Sequence, residues 1–424
     1  MSTYLDEILL AQKRGESRGI ASICSAHPWV LKTALQGEAP VLIEATCNQV
    51  NQFGGYTGLT PAGFVDYVHD LAKVNRFLSE RLILGGDHLG PYPWRDQPAE
   101  IAMQNAAGLV SAFVQAGFEK IHLDASMRLG DDEPAPALNI ELAARRTAIL
   151  AKAAEVCADV DQARKPRYVI GTEVPVPGGA TEAKNGIHVT TPEEARDTIE
   201  IMRTAFFREG LETAWERLIA LVVQPGVEFG GDFIHDYDPD AARDLSRFGE
   251  TIPIIFEVHS TDYQPRESLQ SLVRDHFAIL KVGPALTFAF REAAFALAKV
   301  EAELFPPVQC SHLIERLDEA MQREPAHWKD HYRGMELDLA LERKYSLSDR
   351  IRYYWVKPEV QSALDLLLKN FGGNPLPLSL VSQYCHSEYT PIREGKMKNS
   401  ARAILTESVS AVLRDYLQAC QAVR

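Results

Sequence analysis

Short apolar runs alternate with longer amphipathic stretches along the first three hundred residues. Eight runs read as strands: 20–25, 41–45, 82–85, 120–123, 168–172, 218–223, 253–258 and 277–282. They are short, β-branched and apolar on both faces, as strands of a buried parallel sheet must be. Amphipathic helices lie between them. Thr60-Pro61 opens one, with Phe64, Val65, Val68 and Leu71 on a single face. Thr191-Pro192-Glu193-Glu194 opens another, joining a capping box to a proline at the first helical position. Eight strand–helix units are the period of a TIM (β/α)8 barrel; a doubly wound open sheet is the alternative. The alternation ends near Glu303. Beyond Phe305-Pro306-Pro307 the chain is rich in helix formers, over 311–323, 358–370 and 401–422. The expected organisation is a barrel domain over 1–304 and a helical C-terminal extension over 305–424 that caps it.

Composition narrows this little. With 46% hydrophobic and 24% charged residues, the 424-residue chain is an ordinary globular protein. Its net charge of −14 disfavours the phosphate backbone of nucleic acid. It does not exclude a small anionic substrate met by a few local cations. The six cysteines form no C-x-x-C pair, so neither a disulfide framework nor a zinc knuckle is expected, and any metal should sit on nitrogen and oxygen. The N-terminus lacks a secretory pattern and no apolar run is long enough for a membrane span, so a cytoplasmic location is expected.

In a TIM barrel the chemistry gathers where strands end, and here those ends are polar. They read Ser25-Ala26-His27, Glu44 with Asn48–Gln52, Asp87-His88, His122-Leu123-Asp124-Ala125-Ser126, Thr172-Glu173, Gln224-Pro225-Gly226, His259-Ser260-Thr261-Asp262 and Lys281-Val282-Gly283. One such end is ordinary capping; eight in register imply a pocket. His88 and His259 are the candidate metal ligands, with Glu173 and Gln224 completing the set. His122 falls inside its strand and reads as structural. Asp87 is the first candidate acid–base group and Asp124 the second. Lys281 and Gly283 match the anion site usual after the last barrel strand. The segment 346–355 carries Arg350 among aromatics and could fold over the pocket as a phosphate clamp. No P-loop, dinucleotide fingerprint or nucleophile elbow is present.

Several long motifs now combine: IEATCNQVNQFGGYTG from Ile43, LGGDHLGP from Leu84, KIHLDASM from Lys120, VIGTEVPVPGG from Val169, VVQPGVEF from Val222, HSTDYQ from His259, HFAILKVGPALTFA from His276 and YSLSDRIRYYW from Tyr345. Together they resemble the tagatose-bisphosphate aldolase non-catalytic subunit family, also labelled tagatose-6-phosphate kinase, over nearly the whole chain. That family is in turn similar to class II fructose-bisphosphate aldolases.

The resemblance implies a divalent metal, zinc first, with manganese, nickel or iron as alternatives. It implies Asp87 as proton carrier and His88, Glu173 and His259 around the metal. Gln224 stands where a histidine is expected. Asn48, Gln52, Ser126 and Ser260 would hold sugar hydroxyls, and Lys281, Gly283 and Arg350 a phosphate. The implied substrate is a phosphorylated ketohexose, and the implied activity is D-tagatose 6-phosphate 4-epimerisation by cleavage and re-formation of C3–C4. The rival implication is a silent subunit that stabilises a partner class II aldolase. The kinase label has no nucleotide motif behind it. Self-association is a further expectation; nucleic acid and membrane are not.

Overall fold

The computed structural model describes residues 3–134, 138–158, 165–171 and 187–421. Eight parallel strands close into a barrel: β1 (Ile20–Ile23), β2 (Val41–Thr46), β3 (Leu82–Leu89), β4 (Lys120–Leu123), β5 (Arg167–Ile170), β6 (Leu218–Val223), β7 (Ile255–Val258) and β8 (Phe277–Val282). Each pairs with its neighbours in chain order, and β8 returns to β1. The barrel was therefore the right reading, and the open sheet the wrong one. Three strands, β4, β6 and β8, have the bounds that patterning alone predicts.

β3 departs most from expectation. Patterning stops it at Gly85, but pairing carries it to Leu89. Thr46 lies opposite Asp87 on one side, and Leu89 opposite Leu123 on the other. Between Gly86–Ile121 and Leu89–Leu123 the register slips by one residue, a β-bulge that sets Asp87 and His88 against His122. His88 takes a left-handed φ of 47° to do so. A bulge of this kind re-aims side chains. Here two consecutive residues are turned toward the barrel axis where strict alternation allows one.

The N-terminal helix Tyr4–Lys13 closes the opposite mouth. Leu5 and Ile8 are buried among Ile20, Leu42, Ile83, Ile219 and Ile279 at the strand starts. Thr3 and Asp6 form its capping box, and Arg167 clamps the Asp6 carboxylate with two bonds.

Past the barrel helix Pro284–Leu304 the chain is helical among the described residues. The last helix, Ala401–Cys420, lies on the barrel's flank, beside Pro284–Leu304, Arg266–Arg274 and Pro28–Ala34. The part of the extension that reaches the pocket is the 3-10 turn Arg350–Tyr354 and the residues before it. They are pinned to two barrel loops and one barrel helix. Leu347 N–H donates to Gly231 O, Tyr263 Oη donates to Leu347 O, and Asp349 accepts from Thr287 and Arg291. No helix among the described residues is long and apolar enough to cross a membrane.

Candidate active site

Polar side chains fill the barrel axis at its C-terminal end. Register explains the lowest group. Glu44 lies opposite Gly85, and Gly85 opposite Lys120. Gly85 has no side chain between them, and a Cβ there would stand 2.5 Å from Glu44 Oε1. The Glu44 carboxylate therefore crosses to Lys120 Nζ at 2.6 Å. Glu257 reaches the same ammonium from the other side, also at 2.6 Å. All three groups are fully buried. Burial would lower the Lys120 pKa, but Glu257, Glu44 and Asp87 reverse this and hold it above its usual value.

Above this triad three imidazoles converge. Ring centroids are 4.8 Å apart for His88 and His259, 5.2 Å for His88 and His122, and 5.3 Å for His122 and His259. Each ring is held through one nitrogen. His88 Nδ1 meets Asp124 at 2.8 Å, His122 Nδ1 meets Asp87 at 2.8 Å, and His259 Nε2 meets Glu257 at 3.0 Å. A carboxylate on one ring nitrogen orients the other for a ligand. His122 Nε2 is buried with no hydrogen-bond partner. Ligand atoms of Asp87, His122, Glu257 and His259 all lie within 4.8 Å of one another. An orphaned buried imidazole nitrogen beside a second oriented ring and two carboxylates fits a divalent cation; His122 and His259 with Asp87 and Glu257 would hold it, and the expected ligand His88 lies beside them, 4.8 Å ring to ring from His259. The histidine with the orphaned nitrogen is His122 on β4, the one that reads as structural from its position in the strand. Its signal was the alternation in Lys120-Ile121-His122-Leu123: charged and imidazole groups occupy one face of a strand in a barrel whose axis is polar.

Asp87 is the hub of the charges. Its Oδ1 lies 2.8 Å from His122 Nδ1, it pairs with Lys281, and it turns Oδ2 within 3.8 Å of His88 Nε2. Burial would raise its pKa, but His88, Lys281 and His122 hold it well below the carboxylate range. Asp124 is likewise buried yet held low by His88, His122 and Ser126. Gly90 lets it approach: a Cβ at Gly90 would lie 1.7 Å from Asp124 O. Burial pushes His259 down, and Lys281 and His88 add to that, so its ring stays neutral.

The other expected residues are distributed as follows. Asn48 and Ser260 line the cavity. Ser126 instead donates to Asp124 at 2.6 Å and supports that carboxylate. Gln52 is tied to Asn105 O at 2.9 Å, away from the cavity, because its loop anchors on the neighbouring helix. Gln224 Oε1 accepts from Gly226 N–H at 2.8 Å and closes its own turn, and Gln224 is not among the residues lining the cavity. Glu173 lies outside the described residues. Lys281 lines the cavity with its ammonium ion-paired to Asp87. Gly283 N–H is spent: it and Ala285 N–H both donate to Asp262 Oδ1, at 3.0 and 2.8 Å. Arg350 points into the extension, donating to His327 O at 3.0 Å. The arginine on the cavity is Arg352, with Tyr353 and Tyr56 beside it.

One cysteine does enter the site. Cys24 Sγ lies 3.7 Å from Glu44 and 3.9 Å from Asp87. Burial raises its pKa well above the usual value, so it stands there as a neutral thiol.

This geometry has close relatives. Residues 5–421 match the family model described as D-tagatose-1,6-bisphosphate aldolase subunit GatZ/KbaZ-like. The chain is 48% identical over 420 residues to the D-tagatose-1,6-bisphosphate aldolase subunit GatZ of Salmonella dublin, covering 98% of this chain and 99% of the relative. It is equally similar, 48% over 420 residues, to the protein of that name from Klebsiella pneumoniae. Among solved structures it superposes with TM-score 0.86 and 44% identity on a probable tagatose 6 phosphate kinase from Sinorhizobium meliloti 1021, over 95% of this chain and 100% of the other. The chain belongs to the D-tagatose-1,6-bisphosphate aldolase subunit GatZ/KbaZ-like family.

Proposed function

We propose that this protein is a cytoplasmic subunit of a D-tagatose-1,6-bisphosphate aldolase, acting beside a second, class II aldolase subunit in carbohydrate catabolism. The names of its relatives support that reading. We propose further that its own barrel carries metal-assisted chemistry on a phosphorylated ketohexose. One observation supports this second reading: three imidazoles converge beside Asp87, each with one nitrogen on a carboxylate, and His122 Nε2 is left buried without a partner.

Zinc is the first candidate, with manganese, nickel or iron as alternatives; a bound cation supplies Lewis-acid polarisation of the ketose carbonyl. The residues of the chain do the rest. Asp87, kept ionised by Lys281 and His122, accepts the proton of the C4 hydroxyl as the C3–C4 bond opens. Lys281 balances the charge on Asp87 before that transfer and faces a neutral carboxyl after it. Returning the proton after the aldehyde has rotated re-forms the bond with C4 inverted. The reaction is then D-tagatose 6-phosphate to D-fructose 6-phosphate. Simple deprotonation at C4 is chemically poor, because the carbonyl acidifies C3 and not C4. The packed segment 346–355 keeps the fragments from leaving.

Incubating the pure, metal-replete chain with tagatose 6-phosphate and following products by NMR tests the reading. Fructose 6-phosphate is the expected product. Triose products point to an independent aldolase. No turnover, with co-purification of a second barrel, leaves the subunit role alone standing.

A further inference from the structure

The cavity has two ends of different character. Its floor is the cluster of Asp87, His88, His259 and Lys281. Its outer wall is made by Tyr56 from the loop after β2 and by Arg352 and Tyr353 from the extension. Lys281 and Arg352 are the two Lys or Arg side chains that line it among the described residues. The first is ion-paired to a carboxylate, Asp87. The second is not. Arg352 spends Nη1 on the backbone carbonyls of Ser348 and Asp349 and Nη2 on the hydroxyl of Tyr353, all neutral acceptors. Its guanidinium also lies over the Tyr353 ring at 4.5 Å. The carboxylate that shares the cavity wall, Asp262, has Oδ1 committed to two backbone amides.

Such an arrangement holds a cation in place without neutralising it. Tyr353 is itself fixed, stacked on His327 at 4.6 Å and edge-on to Tyr56 at 4.8 Å. The turn that carries both is buried and stapled to the barrel through Leu347 and Asp349. A half-buried guanidinium, held rigid by hydrogen bonds to neutral acceptors, is suited to receive an anion.

We infer that Arg352 is the anion subsite of this barrel and holds the terminal phosphate of a ketose phosphate whose carbonyl end lies on the histidine floor. The inference rests on the sugar-phosphate reading above and adds to it a residue and a direction for the substrate. It also makes the extension part of the active site. The barrel supplies the reacting groups, and the chain beyond residue 304 supplies the phosphate recognition.

Calorimetric titration of the full chain with D-tagatose 6-phosphate and with D-tagatose measures the margin due to phosphate. A margin of at least about tenfold is expected in the parent chain, as for a charge-assisted contact. Arg352→Gln should erase it while leaving D-tagatose binding unchanged, and Arg352→Lys should keep part of it. A margin that persists in Arg352→Gln overturns the inference, as does a parent chain with no margin. Zinc titration of the same samples reads the histidine floor separately. Loss of the margin with zinc binding intact concerns Arg352, whereas failure of the parent chain to bind zinc strikes the metal reading itself. Inorganic phosphate soaked into crystals of the parent chain gives a check that needs no variant. Density against the Arg352 guanidinium is expected, and density only elsewhere overturns the assignment.

Discussion

His122 turns Nδ1 to the Asp87 carboxylate at 2.8 Å and leaves Nε2 buried without a partner. A buried polar atom without a partner costs about 1–3 kcal/mol unless something takes its lone pair. This atom sits where the His88 and His259 rings also converge, so a metal ion is the natural taker. His122→Ala should therefore weaken zinc binding by more than the about 10–100-fold lost with an outer-shell partner. Gln224→Ala should leave it unchanged. Isothermal titration of the metal-free chain measures both, and the reverse order would return Gln224 to the ligand set.

Asp124 acts one step further out. It fixes His88 through Nδ1 and is itself held by Ser126. Asp124→Asn keeps the shape but replaces an ionised acceptor with a neutral amide. Zinc affinity should fall by about 10–100-fold, with little change in thermal stability. An unchanged affinity would make Asp124 a loop tether only.

Lys120 is buried between Glu44 and Glu257. Removing the cation leaves two carboxylates facing each other in the barrel axis. Lys120→Met should cost about 3–5 kcal/mol in urea unfolding at neutral pH, far above a surface substitution. Part of that loss should be recovered in the triple change with Glu44→Gln and Glu257→Gln, which removes the uncompensated charges. A cost below about 1 kcal/mol for the single variant would mean that water reaches the triad.

His27 gives a pH signature outside the histidine cluster. Its ring is buried against Phe290 and Trp355, neither nitrogen has a partner, and burial pushes its pKa down to about 3. The unfolded chain binds its proton near pH 6.5, and the folded chain resists until about pH 3. The contribution to stability is thus full above 6.5 and is lost progressively as pH falls between those values, with a slope of up to about 1.4 kcal/mol per pH unit. His27→Phe should flatten the decline of unfolding free energy between pH 6.5 and 4. An equal slope in parent and variant would show that His27 is not the proton acceptor.

Local patterning was enough to read the fold and half of the floor of the site. Strand length, β-branching and apolar faces, repeated eight times between amphipathic helices, admit few architectures, and the parallel barrel is one of them. Asp87-His88 and His259 were legible because a barrel gathers what stands at its strand ends. The rest depended on register and on the long return of the chain. The bulge in β3, which turns Asp87 and His88 inward together, comes from pairing with β2 and β4, which no local pattern encodes. His122 and Lys120 looked like interior strand residues because that is what they are. Only closure of the barrel brings them against Asp87, Glu44 and Glu257, up to 137 residues away in the chain. Gln224 matched a ligand by position but folds onto Gly226, since a short amide is satisfied more cheaply by its own turn than across a cavity. The choice between Arg350 and Arg352 was decided by which side of a five-residue 3-10 turn meets the cavity. Two residues of spacing on such a turn point in different directions, and only packing against the barrel selects one.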